Sequence, residues 1–380
     1  MTSEDGDGFR FLWYLNRADG TVPWQSEHRV APSLEHLRQT VAEIDRLGYY
    51  GVLCTAREPI ALVSATEQLR FLVPEYPGAK PPAMMAEQAQ VFDHYSGGRL
   101  IINQVNGADP VLARYGRFEG KDERYRVSAE YWETVRRMYG DDPSAVEGEY
   151  FTAGPQYKPA IPGPRQERLA LWGTGASPAG VAHAAQVLDV YLSFLAEPAG
   201  LARTFDTVRA AAAQAGRELP CGVLASVIVR DTDEQAWEHF EWQLSQTDPA
   251  EMRRLADRNL RSFGFPGLEE ITSPDPQVQA RIEALRAGRL PGRDELEFAP
   301  GLAAGLTTWT SGEPPFDIAG KGSGNYLIGS PRTVAQSLER LSEQLGARTW
   351  ILSGWPLAAE ARRFAEQVMP LLMESPVAAR

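Results

Sequence analysis

Leu100-Ile-Ile-Asn103-Gln104-Val-Asn106-Gly107-Ala-Asp109-Pro110 is the stretch on which the reading of this chain turns. An apolar run of strand length stops in two asparagines and a glycine. Asp122-Glu123-Arg124-Tyr125, followed by Ser128-Ala-Glu130, then opens a charged helix. A parallel barrel strand presents polar groups to a ligand in this way, at its carboxyl end. The same rhythm extends in both directions. The sequence predicts strands at 11–15, 51–54, 69–73, 100–105, 169–172, 190–193, 222–229 and 349–352. Between them, apolar positions recur at helical spacing. Leu34, Leu37, Val41, Ile44 and Leu47 follow the cap Ser33, and Gly48 ends that helix. Near the far end Ser330-Pro331 opens a helix with Val334, Leu338, Leu341 and Leu345 on one face, closed by Gly346.

Roughly eight strand–helix units argue for an α/β chain closed as a (β/α)8 TIM barrel. Periodicity leaves a doubly wound open sheet as the alternative. The whole chain, residues 1–380, reads as one barrel domain. Residues 231–316 form an insertion between strand seven and the last helices. This stretch is charged and helical from Glu234 to Leu260, then rich in Pro and Gly. Its length suits a lid or an oligomer contact better than a structureless loop.

A net charge of −12 argues against nucleic acid or an anionic membrane as partner. Cys54 and Cys221 stand far apart with no CxxC, which fits a reducing compartment and no disulfide framework. The start, Met1-Thr-Ser-Glu-Asp-Gly-Asp, has neither the basic nor the apolar region of a secretory signal, and no run is long enough to span a bilayer. The expected location is cytoplasmic.

Gly173-Thr174-Gly175-Ala-Ser177 lies between a predicted strand and a predicted helix. Glycines let a backbone approach a phosphate, a helix N-terminus adds N–H groups and partial positive charge, and the Ser177 hydroxyl can donate. The same turn serves equally as a plain connection. It is neither a Walker A loop nor a GxGxxG fingerprint, because the third glycine is displaced to Gly180. Asn103 and Asn106 offer donors and acceptors suited to the edge of a heterocyclic ring, or they cap the next loop. Tyr125, in a first helical turn, reaches a phosphate or is half buried. Arg17 and Arg57 follow the first two strands, where they suit an anion or a rim salt bridge such as Arg57–Glu58. Lys321 is the cation of the glycine-rich 320–325 segment, a loop able to close on an anion or an inert linker. Trp355, in Ser353-Gly354-Trp355-Pro356, places an indole at the mouth. Of His28, His36, His94, His183 and His239, none falls at a strand end, so a catalytic triad and a metal cage lack support. Enzymes without such sets borrow chemistry from a cofactor.

These pieces resemble the bacterial luciferase-like flavin monooxygenases, and within them the alkanesulfonate monooxygenase group. The resemblance runs through Leu12–Leu15, Asp45–Leu53, Ser96–Leu100, Asn103–Pro110, Glu123–Tyr125, Val227–Thr232 and Leu352–Pro356. It implies reduced FMN supplied by a separate NAD(P)H-dependent flavin reductase, O2 as co-substrate, and a homodimer or homotetramer. It implies oxygenation of a small alkanesulfonate-type or related sulfur compound through a peroxyflavin. Asn103 and Asn106 then face the flavin, Tyr125, Gly173, Gly175 and Ser177 serve its phosphate, and Arg17, Arg57, Lys321 and Trp355 line the catalytic mouth. No metal is implied. N-, S- or C-oxygenation without desulfonation, and a deazaflavin-dependent oxidoreductase, are the alternatives. The sulfonate enzymes carry an arginine and a histidine on strand seven, where this chain has Leu224 and Ser226. Their mouth tyrosine is Trp355 here, and their loop arginine is lost, with Lys321 close to its place. Their active-site cysteine has no secure counterpart, Cys54 lying several positions away. A less anionic or larger substrate is therefore expected.

Overall fold

The computed structural model describes residues 8–16, 18–31, 33–54, 59–106, 112–140, 145–155, 163–262, 265–305 and 325–373. Arg17, Arg57, Lys321 and Gly107 to Pro110 lie outside the described residues. The fold is a (β/α)8 barrel, the class read from the sequence. Packing divides the chain into two compact units, one of Met1–Tyr49, Ser193–Ala202 and Val223–Arg380, the other of Tyr50–Leu192 and Arg203–Gly222.

The second unit carries β2 (Gly51–Cys54), β3 (Arg70–Glu75), β4 (Leu100–Gln104), β5 (Ala170–Gly173) and β6 (Val190–Phe194), paired in parallel in that order. The last two residues of β6 fall in the first unit. The principal helices are α2 (Pro82–Ser96), α3 (Lys121–Tyr139) and α4 (Pro178–Val187). Register puts Asn103 beside Trp172 and Gln104 beside Gly173, so the polar end of β4 meets the glycine end of β5. Proline opens α2 and α4 at the first helical position, where its missing N–H costs nothing. Gly97 ends α2 in the left-handed region at φ 74°, a conformation that glycine adopts without strain.

The first unit carries β1 (Arg10–Leu15), α1 (Leu34–Arg46), β7 (Cys221–Val229), whose first two residues belong to the second unit, β8 (Tyr326–Gly329) and β9 (Thr349–Ser353). β1 pairs in parallel with β9, and β7 with β8. β8 was not read from the sequence. Its four residues Tyr-Leu-Ile-Gly are short, and they follow a glycine-rich stretch that reads as loop. β7 is long enough to serve two neighbours in turn. Leu195 N–H donates to Leu224 O beside its first half, and Ser226 N–H donates to Asn325 O beside its second.

Between β7 and β8 the chain builds a packed subassembly. The single helical stretch read at Glu234–Leu260 is two helices, Asp233–Ser245 and Pro249–Ser262, because Pro249 cannot continue the first. A third helix, Pro276–Arg286, and a hairpin of Glu297–Ala299 with Leu302–Ala303 follow. Trp237, Phe240, Met252, Leu260, Ile282 and Leu285 bury one core against Tyr326 and Ile328. Burial of that apolar surface is what orders a segment whose sequence is charged.

Candidate functional site

All six residues assigned to cofactor binding fall in the second unit, and the structure brings them together at the carboxyl ends of β4 and β5. After Gly173 the chain turns through Thr174, Gly175 and Ala176, and Ser177 caps α4 by accepting from Gly180 N–H at 3.2 Å. An accepting hydroxyl keeps its own proton to donate outward. The turn folds tightly onto the helix it starts. A side-chain carbon on Gly175 would stand 3.0 Å from Gly180 Cα, and one on Gly180 would stand 2.8 Å from both the Gly175 carbonyl carbon and the Tyr125 hydroxyl. Gly175 and Gly180 therefore work as a pair that admits the Tyr125 phenol to the first turn of α4. The displaced third glycine, which excluded the dinucleotide fingerprint, serves this contact.

Tyr125 is half buried, and its hydroxyl makes no hydrogen bond among the described residues. Its ring lies 5.5 Å from that of His183, tilted by 50°. His183 is 3% exposed, and its Nε2 lies 2.9 Å from Ser128 Oγ. Burial pushes His183 down to about 4, so the imidazole is neutral at pH 7. Tyr191 lies against the turn, its phenol within reach of the Gly175 backbone. Burial, with Cys221 and Tyr125 close by, pushes its phenol up to about 12, while the Gly175 backbone pulls the other way. Both Tyr191 and His183 stay uncharged at pH 7.

At the β4 end, Asn103 is half buried and Gln104 is 1% exposed. Gln104 Nε2 donates to Asn106 Oδ1 at 2.7 Å. That bond leaves a buried acceptor, Gln104 Oε1, and a buried donor, Asn106 Nδ2, with no hydrogen-bond partner among the described residues. A side-chain carbon on Gly173 would stand 2.9 Å from Gln104 Oε1. Each unanswered buried polar atom costs about 1–3 kcal/mol, so the site rewards a ligand offering a matching acceptor and donor. Beyond the strand, Asn106 joins Pro77, Leu112, Arg117, Glu119 and Arg124 around a small cleft, with Arg117 and Glu119 paired at 2.6 Å.

Trp355 belongs to the first unit. It is 2% exposed, and its indole N–H donates to Ala18 O at 3.3 Å, so its polar atom is committed to the backbone. Trp24 packs edge-on against it at 6.1 Å. Next to them the Asp19 carboxylate receives the N–H groups of Gly20 and Leu357 at 2.7 and 2.8 Å and meets His36 Nε2 at 2.7 Å. The sequence hid this contact because His36 sits in α1, well after the strand end it returns to. Leu224 and Ser226 are both buried, Ser226 across from Tyr326 in register. The Cys54 thiol is buried and its pKa pushed up by burial alone, as befits a small apolar filler. Gln104, Gly180, His183 and Tyr191 escaped the sequence reading as site residues. Gln104 stood inside the decisive stretch, and Gly180 was visible as an out-of-place glycine. Neither the helical His183 nor the strand-borne Tyr191 carried any signal.

The pattern of the luciferase-like monooxygenases matches residues 12–349, and the chain belongs to that family. It is accordingly an oxidoreductase of the monooxygenase class. Among solved structures it is similar to the riboflavin lyase RcaE, determined with modified FMN and riboflavin, at 18% identity over 97% of this chain and 92% of that one, TM-score 0.73. The EDTA monooxygenase EmoA from Chelativorans sp. BNC1 matches at 19% identity over 97% and 94%, TM-score 0.71. The coenzyme F420-dependent tetrahydromethanopterin reductase from Methanopyrus kandleri matches at 13% identity over 96% and 99%, TM-score 0.62. At these identities the likeness is one of fold.

Proposed function

We propose that the chain is the oxygenase component of a two-component system, taking reduced FMN from a separate NAD(P)H-dependent flavin reductase and acting on a small organic sulfur compound. The observation that carries this reading is the complementary pair of unanswered buried amide atoms, Asn106 Nδ2 and Gln104 Oε1, one strand away from a glycine cradle. A flavin ring edge offers acceptors and donors together, and its phosphate suits a helix start. When bound, reduced FMN supplies the electron pair with which O2 gives one oxygen atom to the substrate and the other to water.

The chain's own residues bind, orient and shield. Ser177 and Tyr125 donate hydroxyl hydrogens toward the phosphate, and Gly175 and Gly180 let the backbone come close. Asn106 and Asn103 hold the ring edge, and Gln104 fixes the Asn106 amide so that its Nδ2 points away from the β4 hydrogen bonds already made. A water-excluded site strengthens each of these bonds and protects the reduced cofactor from unproductive oxidation.

Leu224 and Ser226 bear on the substrate. Strand seven carries no charged side chain at either place, so a strong clamp for a sulfonate is not built there. An uncharged or weakly anionic sulfur compound, oxygenated without sulfite release, is favoured over a simple alkanesulfonate. The test mixes anaerobic protein and reduced FMN with 18O2 and candidate substrates. The product is expected to carry one labelled oxygen with no stoichiometric sulfite. Sulfite release from short alkanesulfonates at full turnover contradicts the substrate assignment, and unlabelled product contradicts the oxygenase.

A further inference from the structure

We propose that His183 is a positioning residue for this chain's phosphate seat, acting through the Tyr125 phenol with Ser128 as its anchor. The inference rests on the reading that a phosphate-bearing flavin occupies the α4 start. Three observations carry it. Tyr125 stands on α3 and reaches α4 only because Gly180 lacks a side chain, so its hydroxyl position is set by what its ring leans on. The ring leans on His183, at 5.5 Å. His183 is itself fixed at Nε2, by Ser128 one turn further along the helix that bears Tyr125.

The arrangement is a bracket. Tyr125 and Ser128 come from α3 and grip one imidazole from α4, which ties the phenol to the helix whose N-terminus meets the phosphate. The tautomer follows from chemistry. Donation from Nε2–H to Ser128 Oγ leaves Nδ1, which has no partner among the described residues, as a bare acceptor, cheaper to bury than an unpaired N–H. A neutral ring is the better support here, since a buried imidazolium in this bracket has no counterion among the contacts it makes. His183 therefore touches neither phosphate nor ring edge of the cofactor. It sets where the hydroxyl that does so stands.

The experiment is a double-mutant cycle on the full-length protein, reading equilibrium dissociation constants for FMN and for riboflavin, which lacks the phosphate. Tyr125→Phe is expected to weaken FMN about tenfold and to leave riboflavin nearly unchanged, the loss of one hydrogen bond to a charged group. His183→Ala is expected to weaken FMN by about three- to tenfold, again with riboflavin unchanged, and to add nothing in the Tyr125→Phe background. Ser128→Ala, which keeps both rings and removes only the anchor, is expected to give the same pattern at smaller size. Equal losses for FMN and riboflavin, or His183→Ala and Tyr125→Phe effects that simply multiply, overturn the inference by making His183 a packing residue. A wild-type protein that binds FMN no better than riboflavin overturns the phosphate seat and the inference with it. One that binds neither flavin overturns the proposed function as well.

Discussion

Gly180 shows how far a single residue's meaning depends on its surroundings. Alanine in a helix is favoured over glycine by about 1 kcal/mol, so Gly180→Ala stabilises on propensity alone. The structure reverses the sign. The added carbon stands 2.8 Å from the Gly175 carbonyl carbon and from the Tyr125 hydroxyl, and the first of these is backbone. Forced displacement of that kind costs about 1–3 kcal/mol. Gly180→Ala is expected to lower the midpoint of urea unfolding and to weaken FMN; a more stable variant with unchanged binding contradicts the cradle. His183 makes a second residue-scale prediction. Its folded pKa, about 4, lies below the ordinary 6.5, so the native state binds fewer protons than the unfolded one. The stability this neutral ring contributes is whole above pH 6.5 and is lost as pH falls toward 4, a swing of about 3 kcal/mol. Unfolding titrations at pH 7 and pH 5 are expected to differ less in His183→Phe than in the wild type. An identical difference in both proteins contradicts a buried, neutral His183.

Among the elements, the strands and helices of the barrel were legible because each states its environment locally. β4 reads as a buried strand since Leu100, Ile101 and Ile102 are apolar without a break, and it is buried on both faces. α1 and α5 (Pro331–Leu345) announce themselves by capping serines, by stripes of Leu and Val at helical spacing, and by glycines after their last turns. The subassembly between β7 and β8 was not legible in the same way. Its apolar residues are spread over several pieces, and only their meeting around Phe240 and Tyr326 makes a core. β8 has four residues, and its partner is chosen by tertiary contact. Asn325, read from sequence only as part of a flexible segment, is 4% exposed: its Nδ2 donates to Leu195 O at 2.9 Å and its Oδ1 receives Gly305 N–H at 3.3 Å. A residue that bonds positions so distant in sequence leaves no trace in a local window.

At the scale of the whole molecule, the proposed function puts catalytic capacity into a cofactor seat at the ends of β4 and β5, supplied by amides, glycines and hydroxyls. Asn103, Asn106, Gly173, Gly175 and Ser177 were legible as candidates because they stand at or just past strand ends, where a barrel meets its ligand. The residues that support them were not, because His183 and Tyr191 owe their roles to burial, which a sequence states only after folding. Family membership agrees with this division of labour, in which the protein excludes water and orients reactants while the cofactor carries electrons. Proteins similar to it in fold include one determined with modified FMN and one that depends on F420, so cofactor choice separates the proposed function from its deazaflavin alternative. The most direct measurement is an anaerobic titration of the full-length protein with reduced FMN and, separately, with a reduced deazaflavin, followed by flavin fluorescence. Saturable binding of one FMN per chain is expected, tighter than the deazaflavin by tenfold or more (about 1.4 kcal/mol). Tighter binding of the deazaflavin, or no saturation with FMN, contradicts the proposed function.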